Sequence, residues 1–282
     1  MQYILLLIVI LAMSSQNIFV KQYNVKSKAP DQFLFSAISA LFAMVFFLIS
    51  SGDGMHFTWE FVPYSVGFAI AFAAALVGLN LSIASGPLAV SSLVMSYSLI
   101  VPTLYGIIFL KDSLKPTAYI GIALLLVSLY FINMKKESAI FSFKWLIYLA
   151  IGFVGNGMCS TIQKMQQLKF EGAYKNEFMV VALLVVFVML MAIVLIRKGD
   201  LKAQFKDCRI YGPLNGIANG ATNLLVMILT GLIPTAILFP SISAGGIAIM
   251  FFVSVFVYKE KLSKKQMIGY AVGMLSVILL NI

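Results

Sequence analysis

No carboxylate falls inside any of the long apolar runs of this chain. Its ten acids are Asp31, Asp53, Glu60, Asp112, Glu137, Glu171, Glu177, Asp200, Asp207 and Glu260, and each lies in a loop or at a span end. A proton-coupled carrier of cations uses a buried acid at mid-membrane, and this chain has none to offer. Histidine is almost missing too. The single copy, His56, sits in a short polar loop and reads as a solvated or interfacial side chain rather than a ligand. Two cysteines, Cys159 in an apolar run and Cys208 in a basic loop, make neither a disulfide framework nor a metal set. HExxH, CxxC, GxSxG and paired buried aspartates are all lacking. Ser160 with Lys164 has helical spacing, but no oxyanion-hole motif accompanies the pair. The expectation is therefore no enzyme, no metal and no cofactor.

What is present is apolar chain. Of 282 residues, 61% are hydrophobic and 11% charged, with a mean hydropathy of +1.00. Runs of about 20 apolar residues match a bilayer core of about 30 Å. Ten spans are expected: 2–20, 32–51, 63–84, 88–110, 117–134, 145–163, 178–196, 213–232, 235–258 and 266–282. The first is kept as a span, because it lacks a charged leader and its apolar character continues to Val20. Trp59 and Trp145 fall just outside spans, where an aromatic belt belongs. Ser85, Gly86 and Pro87 alone join spans three and four. Spans eight and nine meet near Ile233 and Pro234, so both pairs read as tight hairpins.

The net charge is +10. The basic residues sit in short loops, which suits anionic headgroups and topology rather than nucleic acid. The odd-numbered loops hold fifteen of the twenty Lys and Arg residues. The positive-inside rule then places those loops in the cytoplasm and both termini outside.

A repeat is legible at the ends of the two halves. KDSLKPTAYIGIALLLVSLYFIN, residues 111–133, aligns without a gap on KEKLSKKQMIGYAVGMLSVILLN, residues 259–281. Seven identities include Gly121/Gly269, Ala123/Ala271, Ser128/Ser276 and Asn133/Asn281. Each copy closes a five-span half, 1–134 and 135–282. Five is odd, so the halves should lie upside down relative to each other, with a central site between them. The expected fold is an all-α membrane protein, ten transmembrane helices as two inverted five-helix repeats in one integral domain.

A small-residue helix, a short acidic–basic turn (LKDSL, YKEKL) and a helix with an early glycine resemble the EamA-type half of the drug/metabolite transporter superfamily. The resemblance spans the chain and is clearest over 86–133 and 231–281. Such turns usually read Gly-Glu-Arg-Leu; here they read Lys-Asp-Ser-Leu and Lys-Glu-Lys-Leu. The resemblance implies small-solute transport by a basket of helices, with the fifth and tenth spans peripheral. It also implies both termini inside, against the loop charges, and the charges are followed here. The related small multidrug resistance proteins are expected to carry a Glu in their first helix, where this chain has Ser14 and Ser15.

The candidate solute contacts are polar residues on lining faces. In GPLNGIANGATN, residues 212–223, Gly212, Gly216 and Gly220 form one stripe. Asn215, Asn219 and Asn223 form the ridge beside it. Three amides within two turns of a membrane helix should face a neighbouring helix or a wet cavity, as glue or as a solute site. Span one carries Ser14, Asn17 and Lys21 on one face; span six repeats the spacing with Gly157, Ser160 and Lys164. The two lysines read first as side chains snorkelling to headgroups. Asn156, Gln163, Asn80 and Tyr97 add polar groups within lining spans. Pro102 should bend span four, and PSISAGG, with Pro240, Ser243 and Gly246, is the stretch expected to loosen.

These features lead to a secondary transporter of the plasma (cytoplasmic) membrane. It would move a small neutral or zwitterionic metabolite, such as an amino acid, by alternating access, with export favoured over import. The alternatives are a passive small-solute channel and a non-transporting scaffold or receptor. The partners expected are the solute and membrane lipids, with the chain acting as a monomer or a loose homodimer.

Overall fold

The computed structural model describes residues 2–28, 30–52, 54–86, 88–109, 116–133, 142–197, 201–230, 232–233, 235–259 and 263–281. Pro87, Gly231, Pro234 and most of the two acidic–basic turns lie outside these residues. Among the described residues every regular element is helical. They are α1 (Gln2–Lys26), α2 (Gln32–Ser50), α3 (Val62–Ser85), α4 (Leu88–Ser96), α5 (Ile100–Phe109), α6 (Pro116–Asn133), α7 (Phe143–Lys169), α8 (Lys175–Ile196), α9 (Leu201–Cys208), α10 (Tyr211–Thr230), α11 (Thr235–Phe252) and α12 (Lys264–Asn281). Five of the long helices, α1, α2, α3 with the turn before it, α7 and α8, are long and apolar enough to cross a membrane. α10 has the length, at 20 residues, but its three asparagines lower its hydropathy.

Local chemistry sets several boundaries. Asp31 caps α2, its Oδ1 accepting from the backbone N–H of Phe33 at 2.8 Å and of Leu34 at 3.0 Å. Ser142 caps α7 by accepting from the Trp145 N–H at 3.2 Å. Such caps satisfy donors that the first turn leaves open. Gly172 and Tyr174 take positive φ, 80° and 55°, to turn the chain from α7 into α8.

Alongside an apolar core, the helices bury many Ser, Asn and Gln side chains and leave many large apolar ones exposed. Ile147, Ile151, Val154 and Met158 form an exposed stripe along α7. Ile4, Leu7, Ile8 and Leu11 do the same on α1. Exposed apolar area on this scale marks a surface covered by something other than water.

Interior contacts rest on glycine. A Cβ built on Gly78 of α3 would lie 2.5 Å from Gly152 N and 2.8 Å from Tyr148 O of α7. Gly212, Gly216 and Gly220 turn their stripe onto α2, where Ile38, Ser39, Phe42 and Phe46 meet it. Trp145, expected in an aromatic belt, is instead buried at 1% exposure. Its indole N–H donates to Ser91 Oγ at 3.2 Å, and its ring lies against Gly86 of the tight hairpin. Trp59, by contrast, is exposed.

Three irregularities depart from the expected spans. Span four is two helices, α4 and α5, around a 3-10 turn at Tyr97–Leu99. Pro102 has no N–H to give the Ser98 carbonyl, so the break falls one turn before the proline. The PSISAGG stretch does not loosen: α11 runs through it, and the irregular segment is a π turn at Val253–Val257. Small residues let that helix pack without unwinding; Gly245, for example, meets Ile10 of α1. The basic loop before α10 contains the short amphipathic helix α9.

α6 and α12 pack along each other. Ser128 Oγ donates to the Gly269 carbonyl at 2.6 Å, and Ser276 Oγ donates to the Gly121 carbonyl at 2.7 Å. These are repeat-equivalent positions exchanging the same bond. The pairing order, 121 with 276 and 128 with 269, makes the two helices antiparallel. Other contacts exchange in the same way: α1 packs on α10 as α7 packs on α3, and α2 packs on α10 as α8 packs on α3. The Tyr97 hydroxyl also donates to Ser128, at 2.7 Å. Ser276→Ala should therefore cost about 1 kcal/mol and Ser128→Ala more, because Tyr97 loses its acceptor as well. Thermal unfolding of the two variants in detergent measures that order; equal shifts would count against it.

Candidate solute site

A cavity of about 130 Å³ lies between α1, α3, α4, α7, α10 and α11. That is roughly ten times what one water needs and below the ~300 Å³ of ordinary ligand pockets. α1 lines it with Met13, Gln16 and Asn17, and α3 with Phe72, Ala75, Leu76 and Leu79. α7 adds Asn156, Cys159, Ser160 and Gln163; α10 adds Asn219, Thr222, Asn223 and Val226. Met95 of α4 and Phe239 and Ile242 of α11 complete the wall. Among the described residues no Asp, Glu, Lys, Arg or His lines it.

The lining positions follow a rule. Residues 72, 75, 76 and 79 of α3 correspond to 219, 222, 223 and 226 of α10 at a constant offset of 147. Met95 and Ile242 share that offset. Residues 13, 16 and 17 of α1 correspond to 156, 159 and 160 of α7 at an offset of 143. The positions repeat, but the chemistry does not. Phe72 stands where α10 has Asn219, Ala75 where it has Thr222, and Leu76 where it has Asn223.

A chain of amides crosses one side of the cavity. Gln16 Nε2 donates to Thr222 Oγ1 at 3.0 Å, and Asn219 Nδ2 donates to Gln16 Oε1 at 2.8 Å. Asn223 Nδ2 donates to Asn219 Oδ1 at 3.1 Å, and Gln163 Nε2 donates to Asn223 Oδ1 at 3.0 Å. The chain thus runs from α1 through α10 to α7. Helical spacing aligns 219 with 223 on α10 and 156 with 160 and 163 on α7. Asn156 Nδ2 donates to Ser98 Oγ at 2.6 Å, beside the break in span four.

Of the nine candidates from the sequence, five meet here: Asn17, Asn156, Ser160, Asn219 and Asn223. Four lie elsewhere. Asn80 is buried and donates to Ser36 Oγ at 2.8 Å, tying α3 to α2. Tyr97 is held by Ser128, and Ser243 is buried on α11 away from the lining. Asn215 donates to the Gln16 carbonyl at 3.0 Å, a helix–helix bond. So the asparagine ridge is divided, its first member holding helices and the next two facing the cavity. Ser160 donates to the Asn156 carbonyl at 3.4 Å, a bond within its own helix. Lys164, read as a snorkelling side chain, is buried at 9% exposure. Gln16 and Thr222 were not among the candidates.

Apolar clusters form around α1 on either side of its lining stretch. Leu6 and Val9 pack with Leu229, Ile233 and Leu238 before it. Val20 and Tyr23 pack with Leu34, Phe35, Ile83 and Leu88 after it. The second cluster is tied down by polar bonds. Ser27 Oγ donates to Asp207 Oδ2 at 2.6 Å, as does the Lys28 N–H at 3.0 Å. Lys26 Nζ donates to the Tyr211 hydroxyl at 2.6 Å. Cys208 sits within this corner, fully buried, and burial pushes its thiol up to about 12. A loop cysteine would have served as a surface reporter of orientation; this one reports only whether the corner has opened.

No family model matches the chain, and no curated protein matches it either. Among solved structures, one described only as "Crystal structure of protein" is similar with a TM-score of 0.65 at 12% identity. The match covers 96% of this chain and 97% of that one. At that identity the likeness speaks for the fold alone.

Proposed function

We propose that the chain is a secondary transporter of the drug/metabolite type, carrying a small neutral or zwitterionic metabolite across the plasma membrane by alternating access. The observation that carries this reading is the cavity at the meeting of both halves, bridged by amides from α1, α10 and α7. The two halves act as inverted repeats. Support comes from the reciprocal Ser–Gly bonds of α6 and α12, the exchanged helix contacts and the constant offsets of the lining positions. A twofold axis in the membrane plane relates all of these, and such an axis makes inward- and outward-facing states equivalent packings of one bundle. Apolar clusters before and after the lining stretch of α1 favour a carrier over an open channel, which needs a continuous polar path.

The membrane-exposed apolar stripes and the five long helices support the setting. The absence of any acid or base among the described lining residues supports facilitated diffusion or exchange rather than proton coupling. In proteoliposomes, a pH gradient alone should leave the solute at equal concentration on both sides. Uphill accumulation driven by that gradient would overturn the coupling. Transport itself is tested by uptake into the same vesicles from a pool of small metabolites, with empty vesicles as the control; equal uptake would sink the reading.

A further inference from the structure

The cavity has two unlike walls at equivalent positions. α3 presents Phe72, Ala75 and Leu76, and α10 presents Asn219, Thr222 and Asn223. Under the inverted-repeat reading these walls lie on opposite sides of the axis. A solute between them meets carbon on one side and carboxamide on the other. From this asymmetry we infer the substrate class, an inference that rests on the transporter reading above: an uncharged, flat solute with an apolar ring face and an edge bearing both N–H and C=O groups, such as a heterocyclic amide or lactam.

Two further observations point the same way. First, the protein's own bonds leave a defined set of amide groups over. Asn17 makes no hydrogen bond through its side chain to any described residue, although only 8% of it is exposed. The side-chain carbonyls of Asn156 and Gln163 accept from no described residue. One complete carboxamide and two acceptors are the complement of an amide with a spare N–H. Second, the lining side chains carry no charge, and the helix break beside the cavity, Tyr97–Leu99, falls past the last lining residue of α4, Met95. No charged side chain lines the cavity among the described residues, and α1, α3, α7, α10 and α11 are unbroken α-helices at every lining position. A zwitterion would need replacement partners for both of its ions, and unwound backbone is how a neutral site could supply them. An unpaired charge there would be strongly disfavoured.

The test uses purified full-length protein in detergent and in proteoliposomes. Nicotinamide and uracil are the uncharged probes. Nicotinate keeps the nicotinamide ring but carries a carboxylate, and alanine is the zwitterion. Calorimetry should find saturable binding of at least one uncharged probe and binding of nicotinate and alanine at least about tenfold weaker. Asn17→Leu should weaken the uncharged probe about tenfold while leaving the melting temperature unchanged, since no described protein bond is lost. Phe72→Ala should also weaken it. Saturable alanine binding and uptake that depend on Asn17, with both uncharged probes excluded, would overturn the substrate class and leave the transporter standing. If no probe binds, the inference falls. If neither the probes nor a wider metabolite pool crosses through the protein, the transport reading falls with it.

Discussion

Cells making the Gly78→Leu variant should yield no folded protein. α3 and α7 approach so closely that even one methyl at position 78 would meet Gly152 N at 2.5 Å and Gly152 Cα at 2.7 Å. One turn on, a methyl at Gly155 would meet Ala71 O at 2.6 Å and Ala75 N at 2.7 Å. These obstacles are backbone atoms, which cannot rotate aside as a side-chain tip can. Relief requires the helices to separate, and separation removes their contacts along the whole seam. Overpacking of cores commonly costs 1–3 kcal/mol, and this case, against helical backbone, should exceed that range. It is a large part of a total stability of about 5–15 kcal/mol. Gly246→Ala is the control. A Cβ there meets nothing within 4 Å, and the exchange should stabilise the helix by about 0.4–1 kcal/mol. Size-exclusion chromatography and thermal melts of both variants decide the matter. A well-behaved Gly78→Leu protein would mean that α3 and α7 do not touch as described.

The second large effect is expected at Asn219. It donates to Gln16 Oε1 and accepts from Asn223 Nδ2, so it links α1 to the rest of the amide chain. Leucine in its place breaks both bonds and leaves Gln16 Oε1 without its donor, while Asn223 Nδ2 keeps its bond to the backbone carbonyl of position 219. Losing this cavity-facing amide should cost on the order of 1–2 kcal/mol of solute binding, or about 5- to 30-fold in affinity. The variant should still fold, because the glycine stripe that seats α10 on α2 is on another face. Concentration-dependent uptake measures the affinity. Uptake equal to the parent would make the amide chain helix glue and nothing more.

The sequence carried the membrane-compatible character of the helices and the correspondence of the last helix in each half, because these rest on long apolar runs and local identity. It carried the asparagine ridge as well, through spacing alone. It did not carry the division of that ridge, since Asn215 and Asn219 both reach Gln16 of α1 and differ only in meeting its backbone carbonyl or its side chain. Gln16 was hidden because the polar face of the first span was drawn through Ser14, Asn17 and Lys21, one position away. The break at Tyr97–Leu99 was displaced from Pro102 because a missing N–H acts on the carbonyl four residues earlier. The eight residues of α9 make too short an apolar face to stand out from a basic loop. The repeat vanished at the cavity itself, where Phe72 opposes Asn219 and Leu76 opposes Asn223. There the two copies share position and differ in chemistry, so no comparison of residues could align them.

Under the carrier reading proposed above, the amide chain has a consequence for kinetics. Its links, Gln16 to Asn219 and Gln163 to Asn223, tie α1 and α7 to α10, and parting these helices to open the cavity would stretch them. An empty carrier that switches sides would strand these amides without partners at the crossing point. A loaded carrier would not, because the solute can take over the bonds as the helices part. The return of the unloaded form would then be the slow step of the cycle. Solute placed on the far side should accelerate release from the near side, and counterflow should outpace net flux.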